Sequence, residues 1–250
     1  MVEIRVAGID IGSRTTKLVL LEEGKLSEFQ IVDTGLNPLT RSKELLSGHR
    51  VDRIVATGYG RHLARTHFAD NVITEIKAHA QGAHFLFPQC RTIIDVGGQD
   101  SKVIRIDENG LVEDFEMNDR CAAGTGRFLE IMAKTLSFKM EEFGDQAMKT
   151  KRSANISSTC TVFSESEVVS LIAGGEDRKS IALGVHQAIV HRLSAMVDKI
   201  GLKEDIVFAG GVAKNRCIAS ILEKRIGAKL CIPKEPQIVG ALGAALTEKT

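Results

Sequence analysis

The stretch that decides the fold is Ile9-Asp10-Ile11-Gly12-Ser13-Arg14-Thr15-Thr16-Lys17-Leu18-Val19, because the chain repeats it. The second copy is Ile94-Asp95-Val96-Gly97-Gly98-Gln99-Asp100-Ser101-Lys102-Val103-Ile104, with Ile, Asp, Gly and Lys in the same register. Each copy consists of an apolar run, an Asp-x-Gly turn and a second apolar run, which predicts a strand, a tight turn and a return strand. An internal repeat of this kind indicates two like domains.

The composition narrows the class of protein. A chain of 250 residues with 43% hydrophobic and 26% charged residues is typical of a soluble globular protein. A formal net charge of +1 argues against nucleic acid or an anionic membrane as a partner, and one Tyr with no Trp leaves little for stacking on bases. No apolar run is long enough to span a bilayer, and the first residues lack the layout of a signal peptide. We therefore expect a cytoplasmic protein.

The order of predicted elements repeats with the motif. Apolar alternation and turn residues predict strands at 3–11, 17–23, 26–33, 53–56, 111–117, 206–209 and 229–232, and a second hairpin that begins at Thr92 and whose return strand ends at the turn 107–110. Three- and four-residue apolar spacing predicts helices at 38–46, from 61, and at 75–87, 127–136, 141–149, 164–172, 181–200, 215–226 and 238–246. The expected architecture is α/β with mixed sheets. We expect one domain at 1–85, completed by the helix at 236–250, and a second at 86–235.

The two turns carry residues suited to phosphate chemistry. Glycine lets backbone amides approach an anion, and the neighbouring hydroxyls add donors. Asp10 and Asp95 are predicted to hold a hydrated Mg2+, Lys17 to offset phosphate charge, and Gln99 to orient a water. For Lys102, the repeat partner of Lys17, a solvated strand position and a phosphate contact both stay open. Neither a Walker P-loop nor a dinucleotide fingerprint occurs.

The paired hairpins, with a later strand ending in Gly-Gly at 209–215, resemble the phosphate-1, phosphate-2 and adenosine motifs of the actin, sugar kinase and Hsp70 (ASKHA, ribonuclease H-like) superfamily. The resemblance implies ATP or ADP with Mg2+ in a cleft between two duplicated domains. It assigns catalytic roles to Asp10, Asp95 and Gln99. The residues it assigns to the nucleotide are Gly12, Ser13, Arg14, Thr15, Thr16, Lys17, Gly97, Gly98, Gln99, Gly210, Gly211 and Gln237.

Five cysteines are present, an odd number without a CxxC pair, which excludes a disulfide framework and a zinc knuckle. Cys121 and Cys160 each stand just before a predicted helix, whose N-terminus favours a thiolate. Two cysteines cannot complete a four-thiolate iron–sulfur site, whereas a twofold dimer would supply four. The other three, Cys90, Cys217 and Cys231, are interpreted as structural. The histidines lack metal-ligand spacing, and His186 and His191 are interpreted as packing or surface residues.

Five sequence strings resemble a more specific family. They are TGYGR from Thr57, DVGGQDSK from Asp95, NDRCAAGTGRF from Asn118, SSTCTVFSESE from Ser157 and GALGAAL from Gly240. They resemble the ATP-dependent activators of 2-hydroxyacyl-CoA dehydratases, grouped with the ATPase subunits of benzoyl-CoA reductases as the BadF/BadG/BcrA/BcrD family. The resemblance implies a homodimer with one [4Fe-4S] cluster held by Cys121 and Cys160 of each chain. It implies ferredoxin or flavodoxin as donor and an iron–sulfur enzyme, such as a dehydratase, as acceptor. Arg14 replaces the usual Thr or Ser, and Ala209 the common Thr.

The resulting hypothesis is an ATPase that couples nucleotide turnover to one-electron transfer toward a 2-hydroxyacyl-CoA dehydratase. A benzoyl-CoA-reductase-like role, or reduction of another cluster protein, is an alternative within the family. Two other classes stay open, a small-molecule kinase and a nucleotide-switched interaction protein. A kinase would have no use for cysteines on a dimer axis, and a brown preparation bleached by oxygen would exclude a plain switch.

Overall fold

A computed structural model describes residues 4–122, 124–157 and 160–247. In these ranges the strands form two sheets of five. The first contains β1 (Arg5–Ile11), β2 (Thr15–Glu22), β3 (Lys25–Asp33), β4 (Arg53–Thr57) and β5 (Asn71–Val72), in the order β3-β2-β1-β4-β5. The second contains β6 (Thr92–Val96), β7 (Ser101–Ile106), β8 (Val112–Asn118), β9 (Ile206–Ala209) and β10 (Leu230–Cys231), in the order β8-β7-β6-β9-β10. The strands that follow each copy of the motif therefore take the same places, as the repeat predicts.

The helices lie where the apolar spacing predicts them, within about three residues at each end. They are α1 (Pro38–Leu46), α2 (Arg61–His67), α3 (Glu75–Leu86), α4 (Gly126–Thr135), α5 (Met140–Ala147), α6 (Thr161–Ala173), α7 (Arg178–Ile200), α8 (Arg216–Ile226) and α9 (Val239–Leu246). Short 3-10 turns occur at Gly211–Lys214 and Pro236–Ile238. Side-chain caps explain several starts, since the side chains of Asn37, Thr74, Asp177 and Asn215 each accept a backbone N–H of the first turn.

The chain divides into two compact units by its internal contacts. Unit 1 comprises the residues up to Ile93, Ile104–Phe115 and those from Pro233 onward. Unit 2 comprises Ile94–Val103 and Glu116–Ile232. Within the described part of the chain, no helix is both long and apolar enough to cross a membrane.

In unit 1, α9 packs closely on α3, β1, β2 and β4. Small residues make this possible. A Cβ on Gly8 would overlap the backbone of Ala241, and a Cβ on Gly243 would overlap the carbonyl of Ala78. In such a contact the backbones themselves touch, so van der Waals packing replaces side-chain interdigitation. The face of β1 that carries Asp10 is therefore covered by the last helix of the chain.

Unit 2 has its core around the long helix α7. Apolar residues of α7, such as Ile181, Val185 and Leu193, are buried against side chains from α4, α5, α8 and the second sheet. Phe143 of α5 also belongs to this core, and its ring centroid lies 4.7 Å from that of His186. This packing supports the second phosphate turn and the segment that carries Cys121.

Candidate nucleotide and cysteine sites

The first phosphate turn joins β1 to β2 and is held by hydrogen bonds from the buried residue Thr34. The Thr34 hydroxyl donates to the carbonyl of Gly12 at 2.8 Å, and its backbone N–H donates to the carbonyl of Arg14 at 2.9 Å. The Thr16 hydroxyl, also buried, donates to Thr34 Oγ1 at 3.0 Å. The turn is thus held in one conformation, with the side chain of Ser13 exposed at its tip.

The carboxylate of Asp10 lies at the end of β1 and is 3% exposed. Lys17, its partner across the β1–β2 ladder, donates to Asp10 Oδ2 at 2.9 Å. The other oxygen, Oδ1, is buried and has no hydrogen-bond partner within the described ranges. A buried carboxylate oxygen without a donor is costly unless a ligand or water satisfies it. Because Mg2+ is bound through few carboxylates and several waters, the arrangement fits a hydrated Mg2+.

The second phosphate turn contains a fully buried lysine. Lys102 Nζ donates to Asp100 Oδ2 at 2.7 Å and to Asp95 Oδ2 at 3.3 Å, and all three side chains are buried. The solvated position that the sequence left open for Lys102 is therefore wrong, because its ammonium group is an internal counter-ion to two carboxylates. Gln99 stands exposed at the tip of the turn, where a side chain can reach a solvent-facing ligand.

The second phosphate turn is hydrogen-bonded directly to the segment that follows Cys121. The carbonyl of Gly97 accepts from the N–H of Gly126 at 2.9 Å, and that of Gly98 accepts from Arg127 at 2.8 Å. The Ser101 hydroxyl donates to the carbonyl of Gly124 at 2.6 Å. Local sequence patterns cannot reveal these bonds, because they join residues more than twenty positions apart. The second phosphate turn is thus bonded directly to the start of α4.

The third predicted loop follows β9. Gly210 adopts φ +83°, and a Cβ there would lie 2.8 Å from Asp95 Oδ1, so this position requires glycine. After it, Gly211 opens the 3-10 turn at Gly211–Lys214, and Asn215 caps α8. Gln237 lies in the other 3-10 turn, where its backbone N–H donates to Glu235 Oε1 at 3.1 Å.

The two cysteines of the motif strings differ in setting. Cys160 is the N-cap of α6, and its carbonyl accepts from the N–H and hydroxyl of Ser164 at 3.0 and 2.8 Å. Cys121 precedes α4, which begins at Gly126 after a turn that contains Gly124, with φ +90°, and the N-cap Thr125. The Cys121 carbonyl instead accepts from Asn118 Nδ2 at 2.9 Å. Of the two strings, Ala123, Ser158 and Thr159 lie outside the described residues.

Both thiols are half-buried and are not in disulfides, which leaves them accessible to a metal cluster. Over the ranges that the structure describes, no group of three or more His, Cys, Asp or Glu side chains is arranged to hold a metal ion. The remaining cysteines agree with structural roles. Cys90 and Cys217 are buried, and burial raises the pKa of Cys217 to about 11 and raises that of Cys231. The thiols of Cys217 and Cys231 are therefore disfavoured as thiolates.

His186 connects α7 to the end of the third loop. Its Nδ1–H donates to the carbonyl of Ala182 at 2.7 Å, and its Nε2 accepts from Asn215 Nδ2 at 2.9 Å. The side chain is fully buried, and desolvation lowers its pKa to about 4. The histidine is therefore neutral at physiological pH and belongs to the packing of unit 2, as the sequence predicts.

A pH dependence of stability follows from His186. Because its pKa falls from 6.5 in the unfolded chain to about 4 in the folded one, the unfolded state binds more protons between these values. The contribution to stability is present above pH 6.5 and is lost as pH falls toward 4. When the pH falls from 7 to 5, we expect the free energy of unfolding of His186→Gln to fall by about 2 kcal/mol less than that of the parent protein. Urea titrations of the cluster-free protein at both pH values measure it.

The exposed His191, on the same helix, supplies the matched control, since His191→Gln is expected to leave the difference between pH 7 and pH 5 unchanged. An identical loss of stability in His186→Gln and the parent protein would contradict the assignment of a buried, neutral imidazole.

The duplicated sheets, the paired Asp-x-Gly turns and the Gly-Gly turn after β9 define an ATP-binding protein of the actin, sugar kinase and Hsp70 class. Distant solved structures, among them a ROK family glucokinase from Streptomyces griseus (13% identity, TM-score 0.61), share this fold. The chain belongs to the BadF/BadG/BcrA/BcrD ATPase family, whose family model matches residues 7–247. The fold class and the family expected from the sequence are thereby confirmed.

Individual relatives narrow the comparison. The chain is 44% identical over 248 residues to the activator of lactoyl-CoA dehydratase from Anaerotignum propionicum, covering 96% of this chain and 95% of that protein. Component A of Acidaminococcus fermentans (R)-2-hydroxyglutaryl-CoA dehydratase has a similar crystal structure, with 38% identity, TM-score 0.91 and coverage of 97% and 96%. The ADPNP-bound activator of the Clostridium difficile 2-hydroxyisocaproyl-CoA dehydratase follows with 40% identity, TM-score 0.88 and coverage of 97% and 93%.

Proposed function

We propose that this protein is an ATP-dependent activator that passes single electrons to an acceptor iron–sulfur enzyme, such as a 2-hydroxyacyl-CoA dehydratase. The observation that carries the proposal is the set of hydrogen bonds between the second phosphate turn and the segment after Cys121. A protein that only phosphorylates a small molecule has no need to bond its phosphate turn to a cysteine-containing segment. The relatives that are dehydratase activators support the same conclusion.

The nucleotide is ATP bound with Mg2+. Its hydrolysis leaves ADP, which is then exchanged for ATP. We assign its phosphates to the backbone amides of the two turns, at Gly12, Ser13, Gly97 and Gly98, with Lys17 offsetting their charge. Arg14, Thr15 and Thr16 belong to the same turn, and the buried Thr16 acts by fixing it through Thr34. Asp10 and Asp95 hold the cation through water, and Gln99 orients the attacking water. Gly210, Gly211 and Gln237 are assigned to the adenosine.

The cluster ligands are Cys121 and Cys160 of two copies of the chain, which together provide four thiolates. The donor chemistry fits, because both thiols are half-buried and unbridged. When bound, a [4Fe-4S] cluster supplies a one-electron couple whose potential responds to hydrogen bonds and solvent exposure. The chain's contribution is to hold the cysteines on segments tied to the nucleotide: Gly126 and Arg127 to the phosphate turn, and Gly124 to Ser101.

The surface next to Cys160 supports a homodimer. On α6 only Ser164 and Val168 are buried, whereas Val162 and Phe163 are 67% and 72% exposed. Large apolar side chains in such numbers beside a cluster ligand are typical of a surface that another protein covers. A second copy related by a twofold axis would add its own Cys121 and Cys160 to the set of thiolates. For the electron donor we propose a ferredoxin or flavodoxin, and for the location of the protein the cytoplasm.

The proposal predicts the iron content. Anaerobically purified protein is expected to contain about four iron and four sulfide ions per dimer, and Cys121→Ala or Cys160→Ala is expected to lose them while remaining folded. Iron and acid-labile sulfide assays, the absorption spectrum and the mass in solution measure this. The matched control is Cys231→Ala, which removes a partly buried cysteine outside both strings and should retain the cluster.

Two results would overturn the assignment. Full iron content in Cys121→Ala would show that other ligands hold the metal. A colourless, monomeric protein that hydrolyses ATP but cannot be reconstituted with iron and sulfide would instead indicate a kinase or a nucleotide-driven switch.

A further inference from the structure

Two buried polar atoms of unit 1 lack hydrogen-bond partners at neighbouring strand ends. They are Oδ1 of Asp10, at the end of β1, and Oγ1 of Thr57, at the end of β4. Asp10 is 3% exposed and Thr57 is 0% exposed. Across the described residues neither atom forms a hydrogen bond, although most buried polar atoms in folded proteins do.

The two side chains share one face of the sheet. Asp10 pairs with Thr57 in the parallel β1–β4 register and with Lys17 in the antiparallel β1–β2 register. Residues directly paired across strands present their side chains on the same face, so Lys17, Asp10 and Thr57 form one row. Lys17 occupies Oδ2 of Asp10, which leaves Oδ1 on the side of Thr57.

The residue after Thr57 packs against Asp10 with its backbone. Gly58 adopts φ +84°, and a Cβ there would overlap Asp10 Oδ1. Since no side chain other than hydrogen fits, the Asp10 oxygen is approached by backbone alone. Residue 58 therefore supplies no side-chain donor to either orphaned oxygen.

The internal repeat shows that packing does not require the hydroxyl. In the second sheet β9 takes the place that β4 has in the first, and it ends in Ala209-Gly210 where β4 ends in Thr57-Gly58. Gly210 has φ +83°, nearly the φ of Gly58, and faces Asp95 Oδ1 as Gly58 faces Asp10 Oδ1. One copy of the arrangement thus carries a methyl side chain at the strand end, and the other carries a hydroxyl that is buried without a protein partner.

We infer that Thr57 is a further residue of the nucleotide site: a water bound to Mg2+ donates one hydrogen to Asp10 Oδ1 and the other to Thr57 Oγ1. The inference rests on the proposed ATP site for the identity of the cation. It explains both orphaned atoms with one ligand, because coordinated water is a strong donor and both oxygens are acceptors. It also accounts for the difference between Thr57 and Ala209, because only at Asp10 would a second side chain, the Thr57 hydroxyl, help to hold the water.

The test is Thr57→Val, which replaces the hydroxyl by a methyl group of nearly the same shape. Without nucleotide and Mg2+, its thermal midpoint is expected to equal or exceed that of the parent, because a buried donor without a partner is removed. With Mg2+, ADP is expected to bind about tenfold more weakly, whereas in EDTA the affinity is unchanged. Thr57→Ser is expected to restore the Mg2+-dependent affinity. Calorimetry with ADP and thermal unfolding are the readouts.

Thr34→Val is the contrast for stability. Its hydroxyl has two partners, Gly12 and Thr16, so the same change there is expected to lower the thermal midpoint. A lowered midpoint in Thr57→Val would assign the hydroxyl a purely structural role and overturn the inference. An unchanged ADP affinity with Mg2+ in Thr57→Val would also overturn it. Failure of the proposed function looks different, because the parent protein itself would then show no Mg2+-dependent binding of ADP.

Discussion

Lys102→Met is expected to lower the free energy of unfolding by about 3 to 5 kcal/mol, among the largest effects of any single substitution in unit 2. Lys102 is fully buried between Asp95 and Asp100, whose carboxylates are also buried. Removing the ammonium takes away the positive charge that both carboxylates share in a region of low dielectric constant. The loss is therefore dominated by the repulsion and desolvation of the carboxylates rather than by the missing hydrogen bonds. Urea unfolding of the cluster-free protein, followed by circular dichroism, measures it.

Two further variants sharpen this prediction. Lys199→Met is the matched control, because Lys199 is 67% exposed and its pair with Glu116 is screened by solvent; its effect should stay below about 1 kcal/mol. Adding Asp100→Asn to Lys102→Met should recover part of the loss, because one of the two stranded charges is removed. Equal stability of Lys102→Met and the parent would mean that the ion pairs do not persist in solution.

Gly243→Ala is the second substitution with a large expected effect. A Cβ at this position would overlap the carbonyl of Ala78 and lie 2.9 Å from the N atom of Gly82, both on α3. Backbone cannot move aside as a flexible side chain can, so α9 must withdraw from α3 and from β1. We expect a loss of about 3 kcal/mol or more, at the upper end of overpacking effects. Hydrogen exchange should show it first in the amides of β1 and β2.

The control for Gly243→Ala is Gly174→Ala at the end of α6. There φ is −76° and the nearest atoms to a Cβ would lie 3.4 and 3.5 Å away, which is ordinary contact. The two changes add the same methyl group, so any difference between them reports the closeness of the backbone. A Gly243→Ala protein with the hydrogen exchange of the parent would show that α9 and α3 are further apart than described.

Elements with strong local signals were predictable from the sequence. The helix Pro38–Leu46 matches its prediction at both ends because Asn37 and Pro38 form an unambiguous start. The strand Asn71–Val72 was not predicted, since two residues carry no alternation. The start of α4 lies one residue before the predicted start at Arg127.

The site was predictable in its turns but not in its contacts. Glycines and aspartates with fixed spacing mark the two phosphate turns in any chain that repeats them. The burial of Lys102 is different, because strand alternation cannot say which face of β7 is covered. The bond between His186 and Asn215, and those between the second turn and α4, arise only when distant segments meet. For Thr57 a signal existed, since Thr57-Gly58 and Ala209-Gly210 end strands at corresponding places in the repeat.

The packing of α9 on β1 affects how the protein folds while it is being synthesised. Gly8 leaves the exit tunnel well before α9, the helix that covers it, because about 230 residues separate the two in the chain. At synthesis rates of about 5 to 20 residues per second, the apolar face of the first hairpin waits on the order of ten to fifty seconds for its cover. During that interval the segments of unit 2 are synthesised, whereas the nascent first sheet exposes an apolar face of the kind that chaperones recognise. Slow codons between the first hairpin and α9 would lengthen this vulnerable period.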